Sequence, residues 1–147
     1  MNFRKMEARD KDAVLEMMTV FYASPAVLHK ASREVLEQDI ADCVGECPFV
    51  EGFIIEEDGE VAGYAMTAMG YSTEYGGISV MLEDLYLRPE YRGRGLGSAF
   101  LLYLQDSLRG RAVRLRLEAE PSNTRAIEVY RRCGFEVLPY TEMTVEL

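Results

Sequence analysis

The apolar residues of this chain recur with two periods. Residues 1–6 fit a short first strand. Behind Asp10, a candidate N-cap, Val14, Leu15, Met18, Phe21 and Tyr22 recur at helical spacing until Ser24-Pro25 stops them. Ser32 is a second N-cap candidate, with Val35, Leu36, Ile40 and Cys43 along one face and Pro48 closing the segment. Residues 49–56 read as a strand, Asp58-Gly59 as a tight hairpin turn, and residues 61–70 as the returning strand. A polar loop at 71–77 leads to a long strand at 78–87. Residues 95–108 predict a helix and 113–119 the next strand. A short helix at 123–132 is stopped by Gly134 as a C-cap, and 135–138 and 142–147 read as the last strands.

The order is βαα, three strands, α, β, α, ββ, with a single β-α-β crossover between 78 and 119. It predicts an α+β fold in three layers: a mixed, mostly antiparallel central sheet with helices on both faces. With 147 residues, 48% of them hydrophobic, and no repeat or linker, residues 1–147 read as one domain.

Charge and composition narrow the function. Against 16 basic residues stand 25 acidic ones, a net charge of −9, which argues against nucleic acid as a partner. No apolar leader follows the N-terminus and no run has the length of a membrane span, so no membrane is expected. Cys43, Cys47 and Cys133 have spacings that make no zinc site, and no metal is expected. Read as reduced thiols, they point to the cytoplasm. His29 stands alone, which excludes a mechanism needing two histidines.

The candidate chemistry lies between the long strand and the helix after it. Arg92-Gly93-Arg94-Gly95-Leu96-Gly97-Ser98 joins them. A strand that passes through a glycine turn into a helix N-terminus forms an anion site, because the first amides of a helix lack partners and carry partial positive charge. A P-loop needs a lysine after the glycines, and none is present. A dinucleotide fingerprint needs a third glycine where Ser98 stands, and more crossovers than the remaining chain can hold. Arginines at 88, 92, 94, 109, 111, 114 and 116 form a basic stretch, a solvated face except for Arg92 and Arg94, which sit within the turn and read as phosphate contacts.

The pattern Arg-x-x-Gly-x-Gly, matched by Arg92, Gly95 and Gly97, resembles the acyl-CoA motif of the GNAT superfamily of N-acetyltransferases. A second stretch, from Asn123 through Ala126 and Tyr130 to Gly134-Phe135, is similar to that family's other signature. The resemblance implies an acyl-CoA N-acyltransferase fold and acetyl-CoA as co-substrate. The amides of Gly93, Arg94, Gly95, Leu96, Gly97 and Ser98 would hold the pyrophosphate, with Arg92 and Arg94 adding charge. The backbone of Leu85, Tyr86 and Leu87 would pair with the pantetheine arm, Asn123 would touch it, and an amide of this strand would stabilise the oxyanion. An amine acceptor arrives protonated, so a base is required. Glu83 occupies the position that polyamine acetyltransferases and other members use, and Tyr130 that of the acid protonating the departing thiolate. Asp84 would contact the amine. Adjacent strand residues face opposite ways, so both acids reach the cleft only if a bulge falls between or beside them. Family members often meet through a C-terminal strand, so the apolar residues of 140–147 imply a homodimer.

The acceptor stays open among small amines, a polyamine, an amino acid derivative and a peptide or protein amine. A non-catalytic acyl-CoA sensor on the same fold is the alternative. Such a sensor would need neither Glu83 nor Tyr130.

Overall fold

The computed structural model describes residues 1–147. Five strands form one sheet in chain order: β1 (Asn2–Lys5), β2 (Val50–Glu57), β3 (Glu60–Ser72), β4 (Gly77–Leu87) and β5 (Arg114–Leu117). The first three pairings are antiparallel, and β4–β5 is parallel. The Asp-Gly pair makes the hairpin between β2 and β3, with positive φ at Asp58 (52°) and Gly59 (79°) as a type I′ turn requires.

Strand alternation sorts β2 between the two faces. Phe53 and Ile55 point to one cluster, Ile54 to the other. Helices α1 (Lys11–Tyr22) and α2 (Arg33–Val44) cover the second face with Val14, Leu15, Met17, Met18, Leu36 and Ile40. Helix α3 (Leu96–Leu108) covers the first with Leu96, Phe100, Leu101, Leu104 and Leu108. Each such side chain contributes roughly 1.5–3 kcal/mol by leaving water. Helix α4 (Thr124–Arg132) docks against α3, where Gln105 Nε2 donates to the Cys133 carbonyl at 2.8 Å. The three-layer arrangement is the one the element order predicts.

Several local expectations are corrected. Asp10 does not cap α1 with its side chain. A single 3₁₀ turn, Ala8–Asp10, comes first, and the Asp10 carboxylate takes two bonds from Arg4 and one from the Glu7 amide, all at 2.8 Å. Val35 is exposed rather than on the apolar face of α2, although Ser32 does cap that helix. Residues 71–77 are shorter as a loop than expected, because β3 runs to Ser72 and β4 starts at Gly77.

The largest correction is at the C-terminus, where neither expected strand forms. The Phe135 amide is taken by the Tyr130 carbonyl, and Pro139 has no amide to offer. Met143, Val145 and Leu147 alternate as in a strand but lie exposed, with no surface to cover. The homodimer expectation therefore loses the strand on which it rested.

Candidate active site

The glycine turn has the geometry of an anion cradle. After β4 comes a 3₁₀ turn, Pro89–Tyr91, and then Gly93 (φ 75°) and Gly95 (φ 81°) in the left-handed region. The amides of Gly93, Arg94, Gly95, Leu96, Gly97 and Ser98 find no acceptor in the chain, and the first bond of α3 runs from the Ala99 amide to the Gly95 carbonyl at 2.9 Å. Arg92 locks the turn onto the strand: its Nε donates to the Leu87 carbonyl at 2.9 Å, and its guanidinium lies over the Tyr86 ring. Arg94 lies over Tyr91. Arg88, Arg109, Arg111 and Arg114 instead pair with carboxylates; Arg109 and Arg111 are the solvated residues expected, whereas Arg88 and Arg114 are largely covered.

The sheet opens beside this turn. β5 pairs with β4 only from Ser79 to Leu82, so from Glu83 onward that side of β4, including Leu85, Tyr86 and Leu87, has no strand next to it. The divergence begins where β4 carries an extra residue. Met66 pairs with Asp84 and Thr67 with Leu82, leaving Glu83 as a bulge against β3.

The bulge separates the two acids. Glu83 is exposed. Its pKa is raised by partial desolvation, then by the negative charges of Glu142 and Asp39. Asp84 is turned inward and is only 3% exposed. Its Oδ1 accepts from the Tyr22 hydroxyl at 3.0 Å and its Oδ2 from the Tyr64 hydroxyl at 2.8 Å. Burial pushes Asp84 up to about 6 against the opposing effect of those two bonds. With both oxygens occupied inside the core, Asp84 is not placed to meet an amine in the cleft.

Tyr130 is fixed by the way α4 ends. Phe135 N donates to the Tyr130 carbonyl and Gly134 N to the Arg131 carbonyl, both at 3.0 Å, with Gly134 at φ 94°, which is a Schellman closure. The Phe135 ring meets the Tyr130 ring edge-on at 6.2 Å. The Tyr-x-x-x-Gly-Phe spacing is thus a helix stop that clamps the tyrosine. Burial raises the Tyr130 pKa, so the hydroxyl stays protonated at neutral pH. Asn123 starts the same helix, its side chain accepting from the Ala126 amide at 3.3 Å. Tyr130 lines a cleft of about 910 Å³ along β5, together with Glu118 and Glu142. Glu83 is not in that wall, and Glu142 links the two regions through its effect on Glu83.

Sequence reading missed Tyr22 and Tyr64, and the acids Asp39, Glu118 and Glu142. Nothing in their spacing connects residues so far apart in the chain. The cysteines are free, and burial pushes the Cys43 thiol up to about 12, where it is unreactive. No group of three or more His, Cys, Asp or Glu gathers as a metal site, and no helix is long and apolar enough to cross a membrane.

A splayed strand pair leading into a helix with free N-terminal amides is the arrangement that the resemblance to acyl-CoA N-acyltransferases implies. The chain matches the Acetyltransferase (GNAT) family over residues 14–135. It is 35% identical over 122 residues to the thialysine N-epsilon-acetyltransferase of Bos taurus, covering 77% of this chain and 69% of that protein. It is 28% identical over 139 residues to the putative ribosomal protein bS18-alanine N-acetyltransferase of Bacillus subtilis, covering 90% and 79%. A solved integron cassette protein from a salt-marsh metagenome superposes with a TM-score of 0.83 at 25% identity, over 99% of this chain and 90% of that one. An aminoglycoside N-acetyltransferase solved with CoA superposes with a TM-score of 0.80 at 17% identity, over 99% and 93%. The chain belongs to the GNAT family and is an acetyl-CoA-dependent N-acetyltransferase.

The residues present fit that co-substrate. A Cβ added at Gly97 would meet only Leu87 Cδ1, at an ordinary 3.8 Å. Packing within the chain therefore gives no reason for glycine at this helical position, whereas close approach of a phosphate to the amides does.

Proposed function

We propose that Glu83 is the base and Tyr130 the acid in acetyl transfer to a small amine carrying more than one positive charge. The observation that carries this reading is the bulge, which turns Glu83 out of β4 at the point where the sheet opens. When bound, acetyl-CoA supplies the activated acyl carbon. The free amides from Gly93 to Ser98 would hold its pyrophosphate, with Arg92 and Arg94 adding charge, and the open edge of Leu85, Tyr86 and Leu87, with Asn123, would orient its arm. An alkylammonium has a pKa of about 10.4 and must lose a proton before it attacks. The Glu83 carboxylate takes that proton, and its raised pKa makes it a stronger base than an ordinary glutamate. The Tyr130 hydroxyl gives a proton to the departing sulfur.

The acceptor class rests on charge. Asp39 and Glu142 each raise the pKa of Glu83, and Glu142 and Glu83 raise that of Glu118, so four carboxylates lie within reach of one another here. A dication offsets that repulsion. Similarity to a thialysine acetyltransferase supports the same class. The protein works as one domain in the cytoplasm. It forms a homodimer, supported by the exposed Val137, Met143, Val145 and Leu147 of the tail. A monomer by light scattering at micromolar concentration would remove the dimer.

The test is CoA release from acetyl-CoA over a panel of thialysine, lysine, diamines, polyamines and an alanine-first peptide. The highest kcat/KM is expected with the small dications. Preference for the peptide would overturn the acceptor class. No turnover with any amine, despite retained acetyl-CoA binding, would favour the sensor.

A further inference from the structure

An extra residue in a strand must be held in one place, or the register slips and exchanges the faces of its neighbours. In β4, Val80 and Leu82 lie in the α3 cluster, whereas Tyr86 lies in the α1–α2 cluster, and Leu85 and Leu87 pack on the α3 side. A regular strand would put 80, 82, 84 and 86 on one face. The phase changes at Glu83. Beyond the backbone ladder to β3, the residue after it, Asp84, carries two side-chain hydrogen bonds that tie the new phase to the core. Tyr22, the last residue of α1, holds one carboxylate oxygen, and Tyr64, fully buried in β3, holds the other. A slip of one residue would carry Glu83 into the core and Asp84, one methylene shorter, out to the cleft.

We propose that Asp84 is a positioning residue, gripped by the Tyr22 and Tyr64 hydroxyls, which fixes the bulge and so aims Glu83 at the acceptor amine. Asp84 touches neither substrate nor cofactor and acts through Glu83, so the inference rests on Glu83 being the base. The grip ties β4 to α1 through Tyr22 and to β3 through Tyr64. A misplacement of about 1 Å at a reacting group costs up to 10²-fold in rate.

The test is a set of variants assayed for kcat, for KM of the amine and for acetyl-CoA affinity by calorimetry. Tyr22→Phe removes one hydroxyl at a half-buried site and should lower kcat roughly 3- to 10-fold, with acetyl-CoA affinity within about twofold of wild type. Asp84→Ala should lower kcat about 10²-fold, and Asp84→Asn, which can still meet both hydroxyls, should recover most of that loss. Glu83→Gln combined with Tyr22→Phe should be no slower than Glu83→Gln alone, because aiming an absent base has no effect. Should Asp84→Ala fail to fold, the Glu83 and Tyr22 cycle carries the test by itself. Wild-type kcat in Tyr22→Phe, or a Tyr22→Phe defect that multiplies fully with Glu83→Gln, overturns the positioning role. Wild-type kcat in Glu83→Gln alone overturns the base assignment instead, so the two failures are distinct.

Discussion

Gly97→Ala should stabilise the free protein and weaken acetyl-CoA binding, and the opposite signs separate a fold glycine from a ligand glycine. Gly97 is the second residue of α3 and has no positive φ. Its added methyl would meet only Leu87 Cδ1 at 3.8 Å, which is ordinary contact. Alanine is favoured over glycine in a helix by roughly 0.5–1 kcal/mol. For a chain of this size the unfolding entropy near Tm is about 0.3 kcal/mol/K, so Tm should rise by about 2–3 °C. On the proposed reading, the same methyl would stand between the phosphates and the free amides of Gly97 and Ser98. Loss of one charge-assisted bond of about 1.5–3 kcal/mol weakens binding roughly 10- to 100-fold. Thermal unfolding of the free protein and titration calorimetry with acetyl-CoA measure the two quantities. A raised Tm with unchanged affinity would mean that the phosphates do not approach Gly97. A lowered Tm would mean that the fold itself needs the glycine. Gly95→Ala is the contrast: at φ 81° a Cβ costs about 1–2 kcal/mol, so its Tm should fall.

Tyr130→Phe should lower kcat by about 10²–10⁴-fold with little change in acetyl-CoA affinity, measured by steady-state kinetics and calorimetry. The defect of Glu83→Gln should shrink as pH rises toward the amine pKa, because less proton removal is left to the base; a pH-independent defect would refute the role. Arg4 holds the Asp10 carboxyl below its usual range, so that stabilisation is complete above the ordinary carboxylate pKa and is lost as pH falls through the depressed value. Arg4→Met should cost about 3 kcal/mol near neutral pH in urea unfolding, leaving a buried carboxylate without its partner. Asp84 has the opposite sign: its pKa, raised to about 6, makes stability decline as pH rises from about 4 to 6, and Asp84→Asn should flatten that part of the stability–pH profile.

How much could be read from the chain depended on the range of the interactions concerned. The glycine turn, the Asp-Gly hairpin and the Gly134 helix stop are local, each set by φ values that few residues adopt, and all three formed where expected. The mixed, mostly antiparallel sheet with helices on both faces followed from the element order. Asp10 had the right residue type for a cap, but Arg4 competed for its carboxylate from β1. Alternation in the tail indicated a strand, yet alternation specifies a strand only when a surface is available to cover its apolar face. The bulge left no local mark either. Glu83-Asp84 reads the same with or without an extra residue, and the hydroxyls that grip Asp84 come from Tyr22 and Tyr64 on other elements.

Two adjacent carboxylates therefore end in environments that separate their work. Asp84 is a strut inside the core, and Glu83 is left at the open edge of the sheet. Residue type does not make this division; a register shift of one position would exchange it. On the proposed reading, the acetyl-CoA side depends on backbone amides, which tolerate side-chain change as long as the φ values at Gly93 and Gly95 are kept. The acceptor side, as proposed, would depend on charges drawn from elements far apart in sequence: Asp39 from α2, Glu118 after β5 and Glu142 from the tail. None of the three belongs to the glycine turn or to the clamp on Tyr130. Acceptor preference can thus change by substitution at these positions while the transfer machinery stays intact, which is consistent with one fold serving the different amines named for the relatives.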